Sequence, residues 1–303
     1  MNYNRLIPFL LLVLLGPGLF AQDDLMDLLE GMEEETTDYT YATFKTVRIM
    51  NAHSIEMSAP GVMTMIISHR FGRVNGGAYE FFGLDQANLR LGFEYGITPW
   101  LNIGIGRTNI QKTYDGFLKA KLLRQSTGKR TMPISVAWLS STQVNTLEWA
   151  DPDRENLASS RLSYVHQLMI GRKFSDRLSL QLMPTMVHRN LVPTNEEEND
   201  VFSIGAGGRV KLLPSLTLNV EYFYTMPGFV ADNYQDVLSI GIDIETGGHV
   251  FQLIFSNAVA MTENLYLTRT DGDWGAGDIH FGFNLTRVFN AGKKGSWAKS
   301  KKK

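Results

Sequence analysis

The sequence predicts an all-β fold: a transmembrane, antiparallel, up-and-down β-barrel of about twelve strands, with short periplasmic turns and long outer loops. Three observations point to it. Apolar and polar residues alternate with period two through most of the chain. The connections between these segments switch between short and long. An apolar N-terminal run has the shape of an export signal rather than of a membrane anchor.

The chain opens with Arg5, its only charge before Asp23. The run Leu6 to Leu15 follows, broken by Pro8, and Leu19-Phe20-Ala21 precedes Gln22. This run is shorter than the ~20 residues a helix needs to cross a bilayer. Residues 1–21 are therefore expected to be a signal peptide cleaved near Ala21. The chain has no cysteine. That excludes a lipidated N-terminus, disulfides, thiolate zinc sites and cysteine nucleophiles.

Residues 22–61 form an acidic N-terminal segment, expected in the periplasm. Between positions 23 and 38 stand Asp23, Asp24, Asp27, Glu30, Glu33, Glu34, Glu35 and Asp38, with no base. A short helix around Leu25, Met26, Leu28 and Leu29 and a solvated linker are both compatible with this stretch. The stretch 40–61 can either plug the barrel or contact a periplasmic protein.

The barrel is expected over 62–289. In Asn88 to Tyr95, Leu89, Leu91, Phe93 and Tyr95 point one way, and Asn88, Arg90, Gly92 and Glu94 the other. Leu216, Leu218, Val220, Tyr222 and Tyr224 repeat the pattern, as do Leu238, Ile240, Ile242 and Ile244. Strands are expected near 62–71, 88–95, 101–109, 117–124, 132–140, 160–173, 177–188, 201–212, 215–225, 236–245, 249–257 and 278–289. Ten residues at ~3.3 Å each, tilted by ~40°, rise roughly 25 Å, the height of an outer-membrane apolar band. Short connections fall at 96–99, 175–176, 213–214 and 245–248. Long ones fall near 72–87, 142–159, 189–200, 226–235 and 258–277. The two lengths blur only around 110–131. Polar stretches such as 195–200 and 270–273 could not sit in lipid. Phe289 gives the last strand a terminal aromatic, although Arg287 takes an outward apolar position. A basic tail, 290–303, follows with six lysines.

Composition does not decide the class. Hydrophobic residues make up 44% and mean hydropathy is −0.12, values that suit a soluble protein and a barrel equally. The 28 glycines, 17 phenylalanines and 11 tyrosines suit barrel strands and aromatic girdles.

Several stretches carry a family resemblance: Ser68-His69-Arg70-Phe71-Gly72, Phe82 to Arg90, Leu91-Gly92-Phe93-Glu94-Tyr95-Gly96, Gly104-Ile105-Gly106-Arg107, Arg172-Lys173-Phe174-Ser175 and Asn284 to Phe289. They resemble an uncharacterised β-barrel family of Bacteroidota, a domain of unknown function. The resemblance implies a barrel in the outer membrane of a Gram-negative cell, and the expected signal peptide implies that it is reached by export. It implies no reaction and no ligand.

The residues that stand out are inward charges: Arg70, Arg90, Glu94, Lys119, Lys121, Arg209, Glu221 and Asp243. They can line a charged pore or pair with one another in a filled lumen. No catalytic, metal or cofactor-binding residue is expected. His69, His166, His188 and His280 lie in no serine-nucleophile motif, and Gly-x-Ser-x-Gly is absent. His166 falls on the lipid face, which signals either a register error or a contact with another chain. The glycines of Gly104-Ile105-Gly106 and 205–208 lie within strand pattern, so they thin the lumen face rather than cradle phosphate. Asp271 and Asp273 belong to a turn rather than to a metal site. The expected function is a channel or porin-like conduit for a small solute, with a non-conducting, partner-binding barrel as the alternative. Outer-membrane lipid is the expected surrounding, a periplasmic protein is a candidate partner, and nucleic acid is not expected to bind.

Overall fold

A computed structural model describes residues 36–149 and 151–292. The expected signal peptide, residues 22–35 and the lysines from 293 onward lie outside the described residues.

The described chain closes into a barrel of twelve antiparallel strands. In chain order the strands are β1 (Thr37–Tyr39), β2 (Val62–Arg73), β3 (Ala87–Thr98), β4 (Leu101–Thr108), β5 (Tyr114–Leu123), β6 (Ser126–Gly128), β7 (Ser135–Val144), β8 (Leu162–Lys173), β9 (Leu178–Arg189), β10 (Asp200–Leu213), β11 (Leu216–Thr225), β12 (Val237–Thr246), β13 (His249–Ser256) and β14 (His280–Asn290). All but β1 and β6 belong to the barrel, which closes where β14 pairs with β2, Leu285 opposite Ile67. Closure leaves no edge unpaired among the twelve barrel strands.

Period two governs the wall. In β8, Ser163, Val165, Gln167, Met169 and Gly171 are buried, and the residues between them are partly exposed. Leu91, Ile105, Leu118, Trp138, Leu182, Ile204, Val220, Ile240 and Phe255 are exposed on the outside. A continuous apolar exterior of this kind needs a non-aqueous neighbour. Among the described residues no helix is long and apolar enough to cross a membrane, so any crossing is made by strands. His166 is outward and in register, opposite Ser140, and stacks on Trp138 at 5.7 Å. Its place on the outer face is therefore no register error. Arg287 is also outward, over the Phe289 ring at 4.9 Å.

The stretch 110–131 inverts the loop rule. The connection 109–113 at the long-loop end is short, while 124–134 at the short-turn end is longer and carries β6. β6 pairs with β1, Thr37 opposite Gly128, a two-stranded sheet with no sequence signal. Gly128 has φ +82, and a Cβ there would lie 2.2 Å from the Thr36 carbonyl oxygen. The two flanking strands are displaced from 117–124 and 132–140. β5 starts at Tyr114 because Asp115 pairs inward with Arg90. β7 starts only at Ser135, after Pro133, which has no N–H to give a ladder.

Two pieces of chain fill the lumen. From the short-turn end, residues 43–58 enter as a hairpin. Its tip is closed by the Ile49 N–H on the Ala52 carbonyl and its legs by the Ser54 N–H on the Val47 carbonyl, both at 2.9 Å. Both legs leave at the end where they entered, toward β1 on one side and β2 on the other. From the long-loop end, residues 257–270 fold inward around a short helix, α1 (Glu263–Thr268), with Leu265, Tyr266 and Leu267 buried. Phe44, Ile49 and Ile55 of the hairpin join those residues and inward Met169, Met183 and Phe223 in one apolar cluster.

Candidate functional site in the barrel lumen

The hairpin is held by wall side chains that grip its backbone. Glu221 accepts the N–H groups of Met50, Asn51 and Ala52 at 3.3, 3.3 and 3.0 Å. Gln181 accepts the Ile55 N–H at 2.7 Å and donates to the His53 carbonyl at 2.8 Å. Gln252 donates to the Ile49 carbonyl at 2.7 Å and Asn284 to the Met50 carbonyl at 2.8 Å. A hairpin surrounded by the barrel has no sheet partner for these groups. Left unmade, each would cost about 1–3 kcal/mol.

All eight inward charges of the sequence reading face the lumen, in different roles. Arg70 donates to the Asn51 side chain at 2.8 Å and to Asn284 at 3.2 Å. Lys119 donates to the Glu56 carbonyl at 2.5 Å. Arg209 donates to the Ala42 and Thr43 carbonyls at 2.5 and 2.7 Å. Glu94 accepts from Asn102 at 2.6 Å, with Lys119 at 3.7 Å and His53 at 3.9 Å. Arg90 binds Asp115 through two nitrogens at 3.0 and 2.5 Å and makes no hydrogen bond to the hairpin among the described residues. Asp243 reaches it only through Gln252, at 2.9 Å. The Lys121 side chain has no hydrogen bond or ion pair among the described residues and is only partly buried. The lumen thus contains both paired charges and charges bound to inserted backbone.

Sequence reasoning missed the centre of this network. Arg48 on the hairpin donates to Glu263 on α1 at 2.7 Å, so the two insertions meet in a buried ion pair. Gln143 donates to the other Glu263 oxygen at 3.3 Å. His53 lies 3.6 Å from Glu263 and edge-on to Phe117. Burial, with Arg48, Lys119 and Arg90 close by, holds the His53 imidazole well below the usual histidine range. At neutral pH it therefore sits uncharged between two carboxylates. The stretch 258–277 carried a signal for its inward course in Ala258-Val259-Ala260-Met261 and Leu265-Tyr266-Leu267. Arg48 had no such signal, because nothing in the local sequence says a cation will be buried.

Glycines make room for these contacts. A Cβ at Gly207 would sit 2.4 Å from Ile49 Cδ1, and one at Gly106 would sit 2.4 Å from an Arg90 nitrogen. Asp271 and Asp273 are taken up in the long loop. Asp271 pairs with Arg73 at 2.9 Å, and Asp273 accepts the Gly275 N–H at 2.7 Å.

Known structures similar to the chain include the NanC porin, at 7% identity over 74% of this chain and 98% of that one, with a TM-score of 0.47. The KdgM porin is 10% identical, with the same coverages and a TM-score of 0.44. The Acinetobacter baumannii outer membrane protein Omp33 is 9% identical over 75% of this chain and 97% of that one, with a TM-score of 0.40. These likenesses are too distant to carry a function. No curated protein matches the chain. The family model described as "Membrane bound beta barrel domain (DUF5777)" matches residues 44–289, from the luminal hairpin to the last strand. With most of its length matched, the chain belongs to that family of membrane-bound β-barrels.

Proposed function

We propose that the protein is an outer-membrane conduit for small solutes, closed by the hairpin 43–58 packed against the insertion 257–270, and opened when the hairpin withdraws and frees that insertion to move aside. One observation carries the reading: the hairpin enters and leaves at the same end, so it can slide out without threading. Behind it lies a wall rich in polar side chains, among them Gln167, Gln181, Asn219, Glu221, Gln252 and Asn284. Such a wall would fill with water once vacated, as the inner face of an open barrel does. The short-turn end is then periplasmic and the long loops face outward, the usual arrangement of such barrels. The described chain leads into the first leg of the hairpin from the short-turn end, through β1, where a protein partner could hold it.

The test is planar-bilayer recording on the refolded full chain and on a variant lacking residues 40–58. The full chain should be closed for most of the record, and the shortened one should conduct steadily. Equal, negligible conductance from both, with the shortened barrel shown to be folded, would leave the non-conducting, partner-binding barrel as the better reading.

A further inference from the structure

At the long-loop mouth, separate from the hairpin, lies a cavity of about 190 Å³ between β7, β8, β9 and α1. This is below the ~300–1,000 Å³ of sites for drug-sized ligands, so it suits a molecule the size of one sugar ring. Three guanidinium groups line it, from Arg161, Arg189 and Arg269, and no carboxylate does. Glu197 binds two of them from behind, Arg189 at 2.6 Å and Arg269 at 2.9 Å. One negative charge therefore faces three positive ones, and the cavity keeps an excess of positive charge.

Arg161 is set for recognition. One of its terminal nitrogens donates to the Asn145 and Leu147 carbonyls at 2.9 and 2.5 Å, and its plane lies over the Trp149 ring at 3.8 Å. The remaining N–H groups of a guanidinium held this way form a fork suited to a carboxylate. Around the arginines the wall carries amides and hydroxyls, among them Gln143, Asn145, Ser163 and Asn264, beside the apolar Leu191 and Val192. Three buried polar atoms of the lining residues have no hydrogen-bond partner among the described residues: Thr113 Oγ1, Gln143 Oε1 and Arg189 Nε. Buried polar atoms are rarely left so.

We infer that this cavity binds a small hydroxylated carboxylate, a sugar acid or similar hydroxy acid, with its carboxylate on Arg161 and Arg269 and its hydroxyls on the amide and hydroxyl wall. The inference does not depend on conduction, because no residue of the hairpin lines the cavity.

The experiment is calorimetric titration of the folded full chain in detergent with glucuronate, glucose and inorganic phosphate. Glucuronate should bind at least tenfold more tightly than glucose, which lacks the charge, and than phosphate, which lacks the ring hydroxyls. Arg161→Gln and Arg269→Gln, each shown to be folded, should each weaken glucuronate binding at least tenfold. Glucose or phosphate binding as tightly as glucuronate, unchanged affinity in both variants, or no glucuronate binding would each overturn the inference. A barrel that binds glucuronate yet never conducts would keep this site and discard only the conduit.

Discussion

At the scale of single residues, the closest link between the two insertions is Arg48 on Glu263, a buried pair. Two charges removed from water hold together only while both are present. Losing one strands the other, at about 3–5 kcal/mol, whereas replacing both by apolar groups is far milder. Arg48→Met alone should therefore lower the urea midpoint clearly, and Arg48→Met with Glu263→Met should recover much of that loss. Additive losses in the double variant would show that the two charges do not depend on each other. His53 adds a pH dependence. Its folded pKa is depressed below the ordinary 6.5, so its stabilising contribution is full above that value and is lost as pH falls through the folded value. Acidification should raise the open fraction of the barrel in bilayer recordings, and His53→Gln, which stays neutral, should flatten the response. An unchanged pH response in that variant would place the titration elsewhere.

At the scale of elements, strands were legible residue by residue, while 40–61 was legible only as either a plug or a partner-binding stretch and the inward course of 257–270 was not read, for a physical reason. A barrel strand has one face toward the apolar exterior and one toward the lumen, so Leu89, Leu91 and Phe93 alternate with Arg90, Gly92 and Glu94. The hairpin has the lumen wall on every side. Its apolar residues Phe44, Val47, Ile49 and Ile55 and its polar residues Arg48, Asn51 and His53 are all buried, so no single face produces a period. Likewise 257–270 carries its apolar residues on a loop that bends back into the barrel, where loop length alone suggests exposure. The eight inward charges were legible because they sit on strands. Their partners on the hairpin were not, because nothing local fixes which backbone groups a side chain will grip.

At the scale of the whole molecule, the closed twelve-strand wall is the fixed part and the hairpin the movable one. Gly171 and Ile55 offer a way to couple them, since a Cβ at Gly171 would lie 3.2 Å from Ile55 Cβ, close to the spacing a disulfide needs. The chain has no cysteine of its own, so Ile55→Cys with Gly171→Cys would place the only two thiols on the hairpin and on β8. The most direct test is to record one bilayer holding this double variant, first oxidised and then under reductant. The account predicts a silent barrel while the disulfide stands, and openings that appear on reduction and vanish on reoxidation. Steady conductance through the oxidised, cross-linked barrel would contradict it, because solute would then be passing with the hairpin fixed in place.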